Sequence, residues 1–192
     1  MHKNLPKLFI FIDEYNSEIF KNKNLNIGII YRNYNDRKRE SQLIKIANAC
    51  KKKGYQLFVS NDIKLAYKVK ANGIYVPSFN KTKIFSNLEN KKISIIGSAH
   101  NQKEVQKKIM QKCKAVFLSP LFYIKKSKNF LDIHKFNYLT QNNKIHFYAL
   151  GGISADKICK LKLLTIAGFG GIQIFKKKPA FKRPVFIKKK FF

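Results

Sequence analysis

Short runs of apolar, largely β-branched and aromatic residues recur along the chain, each followed by a longer polar or amphipathic stretch. This alternation restricts the fold more than any other feature of the sequence. The runs fall at 7–12, 27–31, 56–60, 73–76, 93–96, 115–119, 145–150 and 171–175. Most are apolar at nearly every position, as in Leu8-Phe9-Ile10-Phe11-Ile12. Such runs predict strands covered on both faces, as in a parallel sheet sandwiched by helices. Between them, 36–53 places Leu43, Ile46, Ala47 and Cys50 on one helical face and stops at Gly54. The stretch 101–113 opens at Asn101, a good N-cap, and carries Val105, Ile109 and Met110; 154–167 opens at Ser154 and ends at Gly168. Shorter or irregular helices are expected at 62–70 and 79–90.

Eight strands alternating with helices predict the α/β class and a compact, single-domain (β/α)8 TIM barrel over residues 1–176. A doubly wound open sheet is the competitor. Its dinucleotide-binding glycine turn is absent after the first run, where the chain reads Ile12-Asp13-Glu14-Tyr15, and this favours the barrel.

The 192 residues suit one domain, and 45% hydrophobic with 14% aromatic content excludes a disordered chain despite a formal charge of +30. No apolar run is long enough to span a bilayer and the first residues lack a secretory apolar core, so a cytoplasmic location is expected. Cys50, Cys113 and Cys159 are widely separated and include no Cys-x-x-Cys pair; they read as buried thiols rather than a disulfide framework or zinc site. The excess of 40 Lys and Arg over 10 Asp and Glu raises the question of nucleic acid. However, the Lys is spread throughout and accompanied by abundant Asn, Ile, Phe and Tyr, as an AT-rich genome imposes. The charge therefore favours anionic ligands without selecting RNA. Residues 177–192 alternate Lys and Phe around Pro179 and Pro184. They read either as an irregular strap over the barrel or as a basic, aromatic patch for RNA or an anionic membrane.

In a barrel, chemistry sits at the C-terminal ends of the strands. Those ends display Arg32, Asn61-Asp62, Ser98-Ala99-His100, Ser119-Pro120, Gly151-Gly152 and Lys176. The Gly151-Gly152-Ile153-Ser154 turn between a strand and a helix would let backbone N–H groups approach a phosphate; the alternative is a glycine pair demanded by a tight turn. Asp62 is either an N-cap or a hard oxygen ligand for Mg2+. His100 is either a structural histidine or a general acid/base.

These strand ends, in this order and over roughly residues 26 to 176, resemble the thiamine phosphate synthase/TenI family. The matches are Arg32, then Asn61-Asp62-Ile63-Lys64-Leu65-Ala66, similar to the family's Asn-Asp-x-x-x-Leu-Ala, and Gly73-Ile74-Tyr75-Val76, similar to Gly-Val-His-Leu. Further on stand Ser98-Ala99-His100, Ser119-Pro120-Leu121-Phe122, similar to Gly-Pro-Val-Phe, and Leu150-Gly151-Gly152-Ile153. The resemblance implies phosphorylated small-molecule substrates: a hydroxymethylpyrimidine pyrophosphate is joined to a thiazole phosphate and pyrophosphate leaves with Mg2+ assistance. It implies that Arg32 and Asn61 hold the pyrimidine pyrophosphate, that Asp62 binds Mg2+, and that Ser98 touches the pyrophosphate. Gly151 and Gly152 would hold the thiazole phosphate. TenI members are metal-free thiazole tautomerases, and His100 matches their acid/base. The family's Gln-x-Arg-x-Lys is Ile30-Tyr31-Arg32-Asn33-Tyr34 here, and its Gly-Gln-x-Asp is Pro77-Ser78-Phe79-Asn80, so Asn80 replaces a second metal carboxylate. The Thr-x-Thr-Lys loop becomes Ile124-Lys125-Lys126-Ser127-Lys128, where Lys128 retains the charge, and Lys176 stands in place of a Ser. A synthase, a tautomerase and a non-catalytic phosphate-ligand or RNA-binding descendant all fit these residues.

Overall fold

A computed structural model describes residues 4–21, 26–34, 38–88, 93–125, 127, 129–141 and 143–171. Eight parallel strands close into a barrel in chain order: β1 (Leu8–Ile12), β2 (Ile27–Tyr31), β3 (Gln56–Ser60), β4 (Gly73–Val76), β5 (Ser94–Ala99), β6 (Ala115–Leu118), β7 (His146–Leu150) and β8 (Gly168–Gly171), with β8 pairing β1. Among the described residues four α-helices lie in the connections, α1 (Arg39–Lys53), α2 (Ile63–Lys68), α3 (Gln102–Met110) and α4 (Asp132–Thr140). Three other connections carry 3-10 segments, Ser17–Phe20, Ile84–Leu88 and Ala155–Leu163. The doubly wound sheet is thereby excluded.

Alternate strand positions face inward, so each run that is apolar throughout supplies two cores. Phe9, Phe11, Ile30, Phe58, Tyr75, Ile96, Phe117 and Tyr148 fill the ring. Leu8, Ile10, Ile29, Leu57 and Val116 pack outward against the helices together with Leu43 and Ile46 of α1 and Phe136 of α4. Phe9 meets Phe58, Phe117 and Tyr148 edge-on at centroid distances of 5.4, 5.1 and 5.2 Å. Room for these rings comes from glycine on neighbouring strands: a Cβ on Gly28 would lie 2.3 Å from the Phe9 ring, and one on Gly73 2.3 Å from Phe58.

Several expectations are corrected. The last strand begins at Gly168 rather than Gly171. A glycine cluster reads as a turn, yet here a Cβ on Gly168 would come within 2.0 Å of the Lys7 carbonyl oxygen, so the missing side chains are what let the ring close. Residues 172–175 of the expected strand, Lys176, Lys128 and the segment 177–192 lie outside the described residues. β5 runs on to Ala99. The expected helix 154–167 is the 3-10 segment Ala155–Leu163, and Ser154 makes no side-chain capping bond there. α4 was not anticipated; it buries Phe136 and Leu139, spaced for one face. In α3 Met110 is exposed and Lys108 is buried. Cys50 and Cys113 are buried, but Cys159 is exposed. No helix among the described residues is long and apolar enough to cross a membrane.

Candidate functional site

Arg32 follows β2 at an inward-facing position and lies across from Asp13, which follows β1. The guanidinium forks onto the carboxylate, Nε donating to Oδ1 at 3.1 Å and Nη2 to Oδ2 at 3.0 Å. This bond keeps the guanidinium charged and raises its pKa. It leaves other N–H groups of the fork for a ligand. Asn33 Nδ2 donates to the Asp13 carbonyl oxygen at 3.1 Å, so the first two strand ends are tied together.

The end of β3 is held by a second arginine. Arg39, at the start of α1, reaches across to donate Nη2 to the Ser60 carbonyl oxygen at 2.6 Å and Nη1 to Asp62 Oδ2 at 3.2 Å. Its guanidinium lies over the Tyr34 ring, 5.9 Å from the centroid. The Tyr34 hydroxyl is 2.8 Å from Ser60 Oγ, and burial pushes its pKa up. Asp62 caps α2, Oδ1 accepting the Leu65 N–H at 2.9 Å. Asn61 adopts a left-handed φ of 57°, a conformation that asparagine tolerates, and its Oδ1 accepts a short hydrogen bond from Asn80 Nδ2.

The expected Mg2+ ligands do not fit a magnesium site. Asp62 spends one oxygen on the helix cap and the other on Arg39, whose positive charge occupies the place of a cation. Asn80 Oδ1 accepts the Thr82 N–H and Thr82 Oγ, both at 2.9 Å, while its amide nitrogen faces Asn61. Among the described residues no three His, Cys, Asp or Glu side chains cluster as a metal site. Mg2+ needs oxygen lone pairs that are free to point at it.

Ser98 is not at the rim. It lies within β5, buried, and bonds to the Tyr75 hydroxyl beneath the mouth; burial drives the Tyr75 pKa upward and keeps that phenol neutral. His100, two positions on, is exposed at the rim. Its Nδ1 lies 2.6 Å from the Ser119 carbonyl oxygen and its Nε2 3.1 Å from Ser78 Oγ. The His100 N–H donates to Glu104 Oε2 at 2.8 Å, anchoring the residue to the first turn of α3.

Gly151 and Gly152 have φ of 88° and 70°, and the loop after β6 presses on them. A Cβ on Gly151 would lie 2.9 Å from Pro120, and one on Gly152 2.5 Å from the Phe122 carbonyl oxygen. The Leu121 N–H donates to the Leu150 oxygen at 2.8 Å and the Phe122 N–H to the Gly151 oxygen at 3.1 Å. The left-handed φ and this crowding each require glycine at both positions, whatever the turn binds. The segment after them also carries Asp156, whose bond to Ser154 holds its carboxyl below the usual range.

The barrel thus brings Arg32, Asn61, Asp62, His100, Gly151 and Gly152 to one end, the C-terminal ends of β2, β3, β5 and β7. Sequence reasoning missed Asp13, Arg39 and Ser78. Asp13 ends β1 as Arg32 ends β2, and so was open to the same argument; nothing local marks Arg39, which acts from a helix.

The sequence profile of the family described as "Thiamine monophosphate synthase" matches residues 22–174. Thiamine-phosphate synthase of Prochlorococcus marinus subsp. pastoris is 28% identical over 142 residues, covering 69% of this chain and 38% of that protein. The enzyme of that name from a second Prochlorococcus marinus strain is 27% identical over 130 residues, 64% of this chain and 36% of its own. The chain thus spans under two fifths of the length of these curated relatives. In structure it is similar to thiamine phosphate pyrophosphorylase from Pyrococcus furiosus, with a TM-score of 0.74 over 90% of this chain and 92% of that one at 15% identity.

Proposed function

The chain belongs to the thiamine monophosphate synthase family, and on that premise we propose that it is a transferase of thiamine biosynthesis. It would join a hydroxymethylpyrimidine pyrophosphate to a thiazole phosphate and release pyrophosphate. The observation that carries this reading is the convergence of Arg32, Arg39 and Asn61 on the mouth between β2 and β3. Charge builds on the departing pyrophosphate as its bond to the pyrimidine methylene breaks, and preorganised cations lower that barrier. With Asp62 and Asn80 committed to other partners, this task falls to the guanidinium groups. Asp13 aims the Arg32 fork and leaves part of it unspent. Arg39 is held by Ser60 and Asp62 and contributes its field more than new hydrogen bonds.

A second reading, a TenI-like thiazole tautomerase, draws on His100. Its Nδ1 faces a carbonyl oxygen, which only accepts, so the network assigns the ring proton to Nδ1 and leaves Nε2 as the proton-accepting atom. A tautomerase moves one proton and needs no metal.

The two are separated by complementation of a thiamine phosphate synthase deletion, together with an assay of pyrophosphate release with both substrates. The transferase reading expects growth with the parent chain and a loss of about 100-fold or more in pyrophosphate release with Arg32→Ala. Failure of the parent, or undiminished growth with Arg32→Ala, removes it. Thiazole isomerisation that disappears in His100→Ala, without pyrophosphate release, selects the tautomerase.

A further inference from the structure

No step of the proposed transfer uses Ser78, which stands in a loop that departs from the family's pattern. It is nevertheless the residue whose hydroxyl the rim holds against a base. His100 Nδ1 donates to the Ser119 carbonyl oxygen at 2.6 Å, with Ser119 Oγ farther away at 3.3 Å. The lone pair at Nε2 therefore faces Ser78 Oγ, 3.1 Å away, and the hydroxyl is the only one of the two able to donate. Hydroxyl, imidazole and an orienting acceptor thus stand in line across the ends of β4, β5 and β6.

The backbone on both sides of Ser78 is fixed from below. Lys108 of α3, fully buried, donates to the carbonyl oxygens of Pro77 at 2.7 Å and Asn80 at 3.0 Å. Gln111 donates to the carbonyl oxygens of Asn80 at 3.1 Å and Thr82 at 2.7 Å. Two buried polar side chains spent on one short loop hold it in a single geometry, which is what a reactive hydroxyl requires. A serine within reach of an imidazole that is itself oriented by a third group is the general arrangement for an activated nucleophile.

We propose that Ser78 and His100 form a nucleophilic pair at the barrel mouth that takes up a phosphoryl group from an activated phosphorus donor. In the step, Ser78 Oγ forms a bond to phosphorus as the bond to the leaving group breaks. The hydroxyl proton passes to His100 Nε2 and then to the leaving group, while Ser119 steadies the imidazolium through its carbonyl oxygen. The donor brings its own leaving group, and no electrons are gained or lost. The pair stands apart from the transferase reading, because neither residue is needed to stabilise pyrophosphate.

A fluorophosphonate reagent tests this directly. The full, folded chain is treated with the reagent and the adduct located by peptide mass spectrometry. The adduct is expected on Ser78, absent in Ser78→Ala, and formed about 100-fold more slowly in His100→Ala. His100→Gln keeps an amide able to bond Ser119, so slow labelling in this variant, with an unchanged circular-dichroism melting curve, separates lost basicity from lost structure. Labelling of the parent no faster than of the heat-denatured chain, an adduct on another residue, or labelling of the His100 variants as fast as the parent would overturn the proposal. Because the reagent needs neither the pyrimidine nor the thiazole, a negative result here leaves the transferase reading untouched, and failure of complementation leaves the pair standing.

Discussion

Lys108 carries a charge where the barrel has no solvent. Its ammonium meets the carbonyl oxygens of Pro77 and Asn80 and, at 2.9 Å, Gln111 Oε1, one acceptor for each N–H. Burial still outweighs these partners and lowers its pKa from 10.5 to about 8. Below pH 8 the folded chain holds a buried charge at full cost. Between about 8 and 10.5 the unfolded chain keeps a proton that the folded chain has released, so stability rises with pH through this window, by at most about 3 kcal/mol. Cys50 and Cys113, whose thiols burial pushes up to about 12, act in the opposite direction from about pH 9 upward. The readout is therefore the difference between the parent and Lys108→Met in urea unfolding: the parent should gain relative to the variant across the window. At neutral pH the variant should lose about 1 to 3 kcal/mol. The Pro77 oxygen keeps the Asn80 N–H and the Asn80 oxygen keeps Gln111, so only Gln111 Oε1 is stranded.

At the scale of elements, two glycines separate conformation from space. Gly54 ends α1 with φ of 70° and nothing within 4 Å of where a Cβ would stand. Gly54→Ala should cost only the left-handed backbone, about 1 kcal/mol. Gly73 in β4 would place a Cβ 2.3 Å from Phe58 and 2.4 Å from the Ser94 carbonyl oxygen, and backbone cannot yield as a side chain does. Gly73→Ala should cost about 2 to 3 kcal/mol or prevent folding, and the ranking of the two variants by denaturant midpoint checks the distinction. The same contrast explains what could be read in advance. β2, β3 and β4 matched their expected residues because each carries an uninterrupted core of apolar side chains, with a glycine in β2 and β4 and polar residues only at the two ends of β3. β8 did not, since its evidence is side chains that are missing. α3 opens at the expected Asn101 cap, but its buried face includes Lys108, and the residue that closes it, Gln111, is also buried; no hydrophobic pattern selects either. α4 begins at Asp132 with a φ of 55°, outside the usual start of a helix. At the rim, Arg32, Asn61 and His100 were legible as polar ends of apolar strands. The partners that define their chemistry, Asp13, Arg39 and Ser78, come from other elements and required the closed ring.

For the whole molecule, +30 on 192 residues is a standing repulsion. Among the described residues four carboxylates are spent in ion pairs: Asp13 and Asp62 hold arginines at the mouth, and Glu18 and Glu40 pair with Lys21 and Lys68 on the surface. Raising the ionic strength from about 0.01 to 0.15 M should therefore raise the melting temperature, because the Debye length falls from about 30 to 8 Å. An unchanged or lower melting temperature would show that local pairing already cancels the repulsion. The ring itself has one uneven member. Among the described residues β8 contributes a single large side chain, Phe169, between glycines, so this part of the stave holds by its backbone ladder far more than by packing. Without the described residues of β8 the barrel would lose the burial of Phe169 and would leave β7 and β1 with bare edges, each ready to pair with a neighbour's. Such a protein should accumulate as aggregates rather than as unfolded chains.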